Sequence, residues 1–184
     1  MTKTTRPNTG NPASADRTGP RRLTIDLLYL DLHHCTRCRE TDRHLEDALA
    51  EVAQVLSAAG VEIDVRKIHI QSEDQARQLG FVSSPTLRIN GRDIALELKE
   101  SACESCGDVC GEEGVACRVW TFQGQEYTAA PKAMIVDAVL RAVYGASDAA
   151  PATDLPPREV PENLTRFFVA KRRKDASGSG VCCP

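Results

Sequence analysis

Apolar and polar residues alternate from the start of the first apolar segment. Leu23, Ile25 and Leu27 take turns with Thr24 and Asp26 before the run becomes apolar up to Leu30, a strand pattern. From Leu45 the interval lengthens. Leu45, Ala48, Leu49, Val52, Val55, Leu56 and Ala59 recur at helical spacing, and Gly60 supplies a stop. The strand Val61 to Ile70 begins as strict alternation, with Val61, Ile63 and Val65 against Glu62, Asp64 and Arg66. One wet face suits a strand near a sheet edge. Ser72 and Gln75 have the spacing of a capping box, opening a short helix that Gly80 closes. Thr86 to Ile89 reads as a short strand, Asn90-Gly91 as a type I′ hairpin turn, and Ile94, Leu96 and Leu98 as the returning strand. Val119 to Tyr127 makes a second hairpin around Gly124. Pro131 then opens a helix with Met134, Ile135, Ala138, Val139 and Val143 on one side and Gly145 at its end.

This order of elements predicts an α/β fold: a central mixed sheet flanked by helices. Its first two strands, joined through a helix, should be parallel with a right-handed crossover. Residues 1–22 are rich in Thr, Pro, Asn, Gly and Arg and read as a disordered arm. The domain proper spans 23–145, interrupted by a cysteine-rich loop at 101–117. Residues 146–184 comprise an Ala/Pro/Asp linker, a short amphipathic segment (Leu164, Phe167, Phe168), the basic run Lys171 to Lys174, and a Ser-Gly joint before the C-terminus.

The 184 residues suit one compact domain with tails, and 41% apolar residues supply an ordinary core. Aromatics are only 4%, so Leu, Val, Ile and Ala must fill it. No apolar run approaches membrane-spanning length, and the polar N-terminus has no apolar core of a secretory signal, which implies a cytoplasmic protein. The net charge of −3 is uneven: residues 1–22 carry five basic and one acidic residue, so the body is acidic. That argues against nucleic acid as the main partner. Lys171-Arg172-Arg173-Lys174 reads as a solvated charge run.

Eight cysteines change the picture. In a reducing compartment they point to metal binding or redox chemistry rather than structural bridges. They fall into three groups: Cys35 and Cys38; Cys103, Cys106, Cys110 and Cys117; and Cys182 with Cys183. Cys35-Thr36-Arg37-Cys38 stands where a strand gives way to a helix. A helix N-terminus presents unsatisfied N–H groups and partial positive charge, which stabilise a thiolate on the first cysteine. The second, one turn on, can resolve a mixed disulfide. Arg37, His33 and His34 add positive character, and His34 with Cys35 and Cys38 offers a zinc alternative.

Ser84-Pro85-Thr86 opens the third strand. Together with Leu30-Asp31-Leu32, the C-x-x-C, Gly80-Phe81-Val82-Ser83-Ser84-Pro85-Thr86 and Asn90-Gly91-Arg92-Asp93-Ile94, it resembles the thioredoxin-like superfamily. Within that superfamily the chain looks like the uncharacterised domain-of-unknown-function family 2703, which is found near microbial arsenic and mercury resistance functions. The resemblance implies a thioredoxin-like fold, Cys35 as nucleophile, Cys38 as resolving thiol, and Pro85, in cis, as a backbone platform for substrate. The pattern departs from ordinary thioredoxins: His34 precedes the first cysteine, Thr36-Arg37 lie between the two, and Tyr29 replaces a buried acid. A dedicated partner or ligand fits these departures.

Cys103, Cys106, Cys110 and Cys117 place four thiols in one glycine-containing loop. Binding of zinc or another soft metal or metalloid, internal disulfides, and unpaired thiols are all compatible with that spacing. Acidic neighbours Glu104, Asp108, Glu112 and Glu113 favour cations. Adjacent Cys182 and Cys183 on a jointed tail suit capture and hand-off of a soft ion, or thiol exchange with Cys35. A disordered tail with incidental cysteines is the plainer alternative.

The expected function is thus a thiol–disulfide oxidoreductase acting in metal, metalloid or redox stress, with soft-metal-binding thiol clusters. The alternative is a non-catalytic soft-metal(loid)-binding protein or metallochaperone. A structural zinc adaptor explains the loop but not the terminal pair. No organic cofactor is expected. The expected partner is a protein thiol or disulfide, or the ion itself, with no nucleic acid or membrane.

Overall fold

A computed structural model of the chain describes residues 21–95, 97–103, 115–145 and 159–177. Cys106, Cys110, Cys182 and Cys183 lie outside the described residues, as do residues 1–20 of the expected arm and 146–158 of the linker, whereas Arg21 and Arg22, expected in the arm, open the first strand because they pair with Val61 and Glu62.

Strand β1 (Arg21–Tyr29) is the axis of the fold. It pairs in parallel with β2 (Val61–His69), from Arg21 opposite Val61 to Tyr29 opposite His69. On its other side it pairs antiparallel with β3 (Thr86–Ile89), Ile25 facing Ile89 and Leu28 facing Thr86. The two-residue strand β4 (Arg92–Asp93) completes a sheet of order β2-β1-β3-β4. This is the mixed sheet that the order of elements predicted. Strand β2 sits at the edge, as its wet alternation predicted.

Helix α1 (Thr36–Ala58) carries the parallel crossover. Its buried positions are Cys38, Thr41, Leu45, Ala48, Val52 and Leu56, so one stripe runs its full length. Apolar periodicity shows only from Leu45 because the first two turns bury a thiol and a hydroxyl. Gly60 ends the helix with φ +67°, a left-handed conformation that glycine adopts without a side-chain penalty. Helix α2 (Glu73–Gln78) starts as predicted, with Gln75 N–H donating to Ser72 Oγ at 3.2 Å. The reciprocal half of the capping box is displaced: Gln75 Oε1 accepts from Gln71 N at 2.8 Å.

A second, antiparallel sheet holds β5 (Lys99–Ala102), β6 (Ala116–Phe122) and β7 (Gln125–Tyr127) in that order. The cysteine-rich loop is therefore the connection of a hairpin whose arms are β5 and β6. The predicted turn at Gly124 joins β6 to β7, with Gln123 and Gly124 at φ 51° and 77°. The returning strand expected through Ile94, Leu96 and Leu98 is confined to Arg92–Asp93. Asp93 turns the chain out of the ladder: Oδ1 accepts from Ala95 N at 3.0 Å, and Oδ2 meets the buried Arg118 guanidinium at 2.9 Å. Leu98 is exposed and Leu96 lies outside the described residues.

The two faces of β1 nucleate two cores. Leu23, Ile25 and Leu27 pack with Leu45, Val52 and Leu56 of α1, with Trp120 of β6, and with Met134, Ile135 and Val139 of helix α3 (Lys132–Tyr144). Leu28, with Leu30 just beyond the strand, packs on Ile70, Ala76 and Phe81, and on Leu164, Phe167 and Phe168 of helix α4 (Glu162–Ser177). Helix α4 is longer than the short amphipathic segment the sequence suggested. The second core also contains Cys35, Cys38, Cys103 and Cys117.

Candidate functional site

The site begins in the turn between β1 and α1. Asp31 is buried and its Oδ1 accepts from His33 N at 2.6 Å and His34 N at 3.0 Å. Its Oδ2 lies 3.0 Å from His34 Nδ1. One carboxylate thus shapes the loop that delivers Cys35 to the start of α1. His34 Nδ1 is engaged by Asp31.

Cys35 is the N-cap of α1, and its Sγ accepts from Cys38 N at 3.4 Å. Sulfur takes the place usually held by a capping hydroxyl or carboxylate oxygen. The helix therefore presents an N–H and its positive end to Cys35. Cys38 lies one turn in, fully buried, with Sγ 3.4 Å from Ser84 Oγ. Ser84 Oγ also accepts from Leu30 N at 3.1 Å. Hydrogen bonding to Cys35, followed by burial and the Cys35 charge, pushes the Cys38 thiol well above its ordinary pKa. Ser84 precedes Pro85 through a cis peptide bond, as the thioredoxin-like resemblance implied.

Two further thiols arrive from the second sheet. Cys103 follows β5, its N–H donating to Val115 O at 3.0 Å, and Cys117 lies in β6 opposite Ser101. The Sγ atoms of Cys35, Cys103 and Cys117 all lie within 4.8 Å of one another. All three residues are at most 3% exposed. Thiolates bound at about 2.3 Å in tetrahedral geometry lie about 3.7 Å apart, so a contraction of at most about 1 Å would close the group on a metal. This buried cysteine cluster can hold a metal ion.

Sequence spacing kept Cys35 in one group and Cys103 and Cys117 in another; the fold merges them. Arg37 is the strap. From the first turn of α1 its guanidinium donates to Ser101 Oγ at 3.0 Å, Ala102 O at 2.8 Å and Cys117 O at 3.3 Å. It binds the helix start to both arms of the β5–β6 hairpin. The positive character expected of Arg37 is thus directed at carbonyls of the hairpin.

Asn163 makes the second attachment. Its Oδ1 accepts from Ala116 N at 3.0 Å, and its Nδ2 donates to Ala116 O at 2.7 Å and Glu100 Oε1 at 3.1 Å. Helix α4 is thereby fixed beside Cys117, with Leu164, Phe167 and Phe168 in the thiol-containing core. Sequence reasoning placed Asp31 and Ser84 in family-like motifs without giving them a role, and it missed Arg37 in its strapping role and Asn163. Asp31 and Ser84 carried local signals, the first as a turn-forming residue shortly before two histidines and the second as the residue before Pro85.

A family model described as "Domain of unknown function (DUF2703)" matches residues 23–139. An uncharacterised protein of Archaeoglobus fulgidus is 32% identical over 95 residues, covering 50% of this chain and 68% of its own. No solved structure matches the chain. Among the described residues, no helix is long and apolar enough to cross a membrane.

Proposed function

For this chain, which belongs to the DUF2703 family, we propose the capture of a soft, thiophilic metal or metalloid ion by Cys35, Cys103 and Cys117. The observation that carries this reading is the convergence of three buried sulfurs, from two separate sheets' ends, within 4.8 Å. Soft thiolate donors select ions such as Hg(II), Cu(I), Zn(II) and trivalent arsenic.

Charge narrows the choice. The thiols sit among Leu28, Leu30, Ile70, Phe81, Val115, Leu164 and Phe168. Uncompensated charge is costly in such surroundings. Three thiolates around a trivalent metalloid make a neutral complex, whereas three around a divalent ion leave one negative charge. Capture of arsenous acid is balanced as a condensation: As(OH)₃ and three thiols give As(SR)₃ and three waters, with no change of oxidation state. This preference supports a role in arsenic stress rather than mercury stress. A cytoplasmic setting, where thiols stay reduced, suits it. Cys182 and Cys183 would then serve as an entry or hand-off pair, and Cys106 and Cys110 as auxiliary ligands.

Titration of the reduced full chain with arsenite, Hg(II) and Zn(II), followed by desalting and elemental analysis, tests the reading. One equivalent of arsenic should be retained, and Cys35→Ser, Cys103→Ser and Cys117→Ser should each abolish retention. Retention that survives all three substitutions would remove the site from consideration.

A second reading rests on Cys35 at the helix start with Cys38 one turn behind and Pro85 alongside: a thiol–disulfide oxidoreductase. Burial of Cys35 and Cys38 favours small disulfides over protein substrates. Turnover of a small disulfide by the reduced chain, lost in Cys35→Ser while the circular dichroism spectrum is kept, supports it.

A further inference from the structure

The ion site leaves one buried thiol unused. Cys38 stands outside the group formed by Cys35, Cys103 and Cys117, yet it is fully buried and hydrogen-bonded to Cys35. Its N–H holds Cys35 Sγ at 3.4 Å, and its own Sγ is backed by Ser84 Oγ at 3.4 Å. Cys35 therefore has two sets of neighbours. With Cys103 and Cys117 it can ligate an ion; with Cys38 it can form a disulfide. The two states exclude each other, because a sulfur bonded to another sulfur no longer presents a thiolate.

We propose that Cys38 is a release thiol: a disulfide between Cys35 and Cys38 withdraws one of the three ligands and discharges the bound ion. The proposal rests on the ion-binding reading above. Its oxidant is a low-molecular-weight disulfide, R–S–S–R. The Cys35 thiolate attacks one sulfur, forming Cys35–S–S–R and expelling RS⁻, which takes the Cys38 proton. The Cys38 thiolate then attacks the Cys35 sulfur and expels the second RS⁻, which is protonated by water. Two protein thiols lose two electrons, and one small disulfide becomes two thiols. The As–S bond to Cys35 breaks as its sulfur attacks, the hydroxide left by that last protonation takes the vacated position on arsenic, and two waters hydrolyse the remaining As–S bonds, returning Cys103 and Cys117 to thiols and freeing As(OH)₃. Cys38 is the partner of choice because it shares the first turn of α1 with Cys35, so attack is intramolecular at high effective concentration.

The test uses the full chain with Cys106→Ser, Cys110→Ser, Cys182→Ser and Cys183→Ser, loaded with one equivalent of arsenite, with and without Cys38→Ser. Hydroxyethyl disulfide is added in stoichiometric amount, bound arsenic is measured after desalting, and disulfides are located by peptide mass mapping. Arsenic should leave in step with a Cys35–Cys38 disulfide, and Cys38→Ser should keep about tenfold more arsenic at the same oxidant, since its mixed disulfide is readily reversed. A disulfide joining Cys103 to Cys117, arsenic that stays after Cys35 and Cys38 are joined, or equal release by Cys38→Ser each overturns the proposal. Should the reduced chain fail to retain arsenic at the outset, the ion-binding reading itself fails and the release role falls with it. Mapping in the chain that keeps Cys38 does not depend on how Cys38→Ser folds.

Discussion

Arg37 and Cys117 meet across the boundary between two sheets: the guanidinium on the first turn of α1 donates to the Cys117 carbonyl at 3.3 Å. The same side chain also takes the Ala102 carbonyl at 2.8 Å. Distance between Cys35 and the hairpin thiols is thereby set by a residue that supplies no sulfur. Removing such an outer support costs about 10–100-fold in metal affinity where it has been measured. Arg37→Ala should lower arsenite affinity by a factor in that range while the far-ultraviolet circular dichroism is retained. Unchanged affinity would show that the three sulfurs converge without the strap.

Asn163 should govern access. Its paired hydrogen bonds to Ala116 hold α4 against the thiol-containing core. Asn163→Ala leaves the Ala116 amide and carbonyl without these partners, at a cost of ~1–3 kcal/mol. Alkylation of Cys35 by iodoacetamide, followed by mass spectrometry, should accelerate in the variant. An unaltered alkylation rate would mean that α4 does not limit entry.

Ligand binding should appear as stability. An ion that binds only the folded chain adds about 2.7 kcal/mol when its free concentration is about a hundredfold above Kd. The thermal midpoint should therefore rise with arsenite, and the rise should vanish in Cys103→Ser. Equal shifts in both proteins would place the stabilising site elsewhere.

His69 should make the fold acid-sensitive. Burial, then the positive charge of Lys171, lowers its pKa below 6.5. Asp31 acts in the opposite direction, and His33 adds to the lowering. The ring stacks on Tyr29 at 5.4 Å, and Nδ1 lies 3.3 Å from Gln71 Nε2. Because the unfolded chain takes up the proton first, stability is full above pH about 6.5 and falls as pH drops through the folded value. Denaturant unfolding between pH 7.5 and 5 should show this loss, and His69→Phe should flatten it. An identical slope in the variant would assign the effect to other groups.

Much of the fold is legible in the chain because burial has a local period. Alternation at Val61 to Val65 marks an edge strand, and β2 is one. Asn90-Gly91 marks the hairpin between β3 and β4, where both residues have positive φ. Legibility stops where a polar side chain acts across the fold. Asp93 ends β4 because Arg118, far along the chain, reaches it. The first turns of α1 escape a count of apolar residues because they bury Cys38 and Thr41. The thiol cluster is hidden for the same reason. Spacing reveals Cys35 with Cys38, and Cys103 with its neighbours, but the encounter of Cys35 with Cys103 and Cys117 depends on sheet pairing and on Arg37. Helix α4 was visible as Leu164, Phe167 and Phe168, but its Asn163 contact with β6 was not.

Strand β6 belongs to both cores: Cys117 lies in one and Trp120 in the other. Between them, Arg118 N donates to Ser84 O at 2.8 Å, bringing the second sheet to the segment behind Cys38. A cargo held by the three sulfurs would consequently brace both halves of the molecule at once. Laden copies would outlast vacant ones under proteolysis, so the cellular lifetime of the chain would track what it carries.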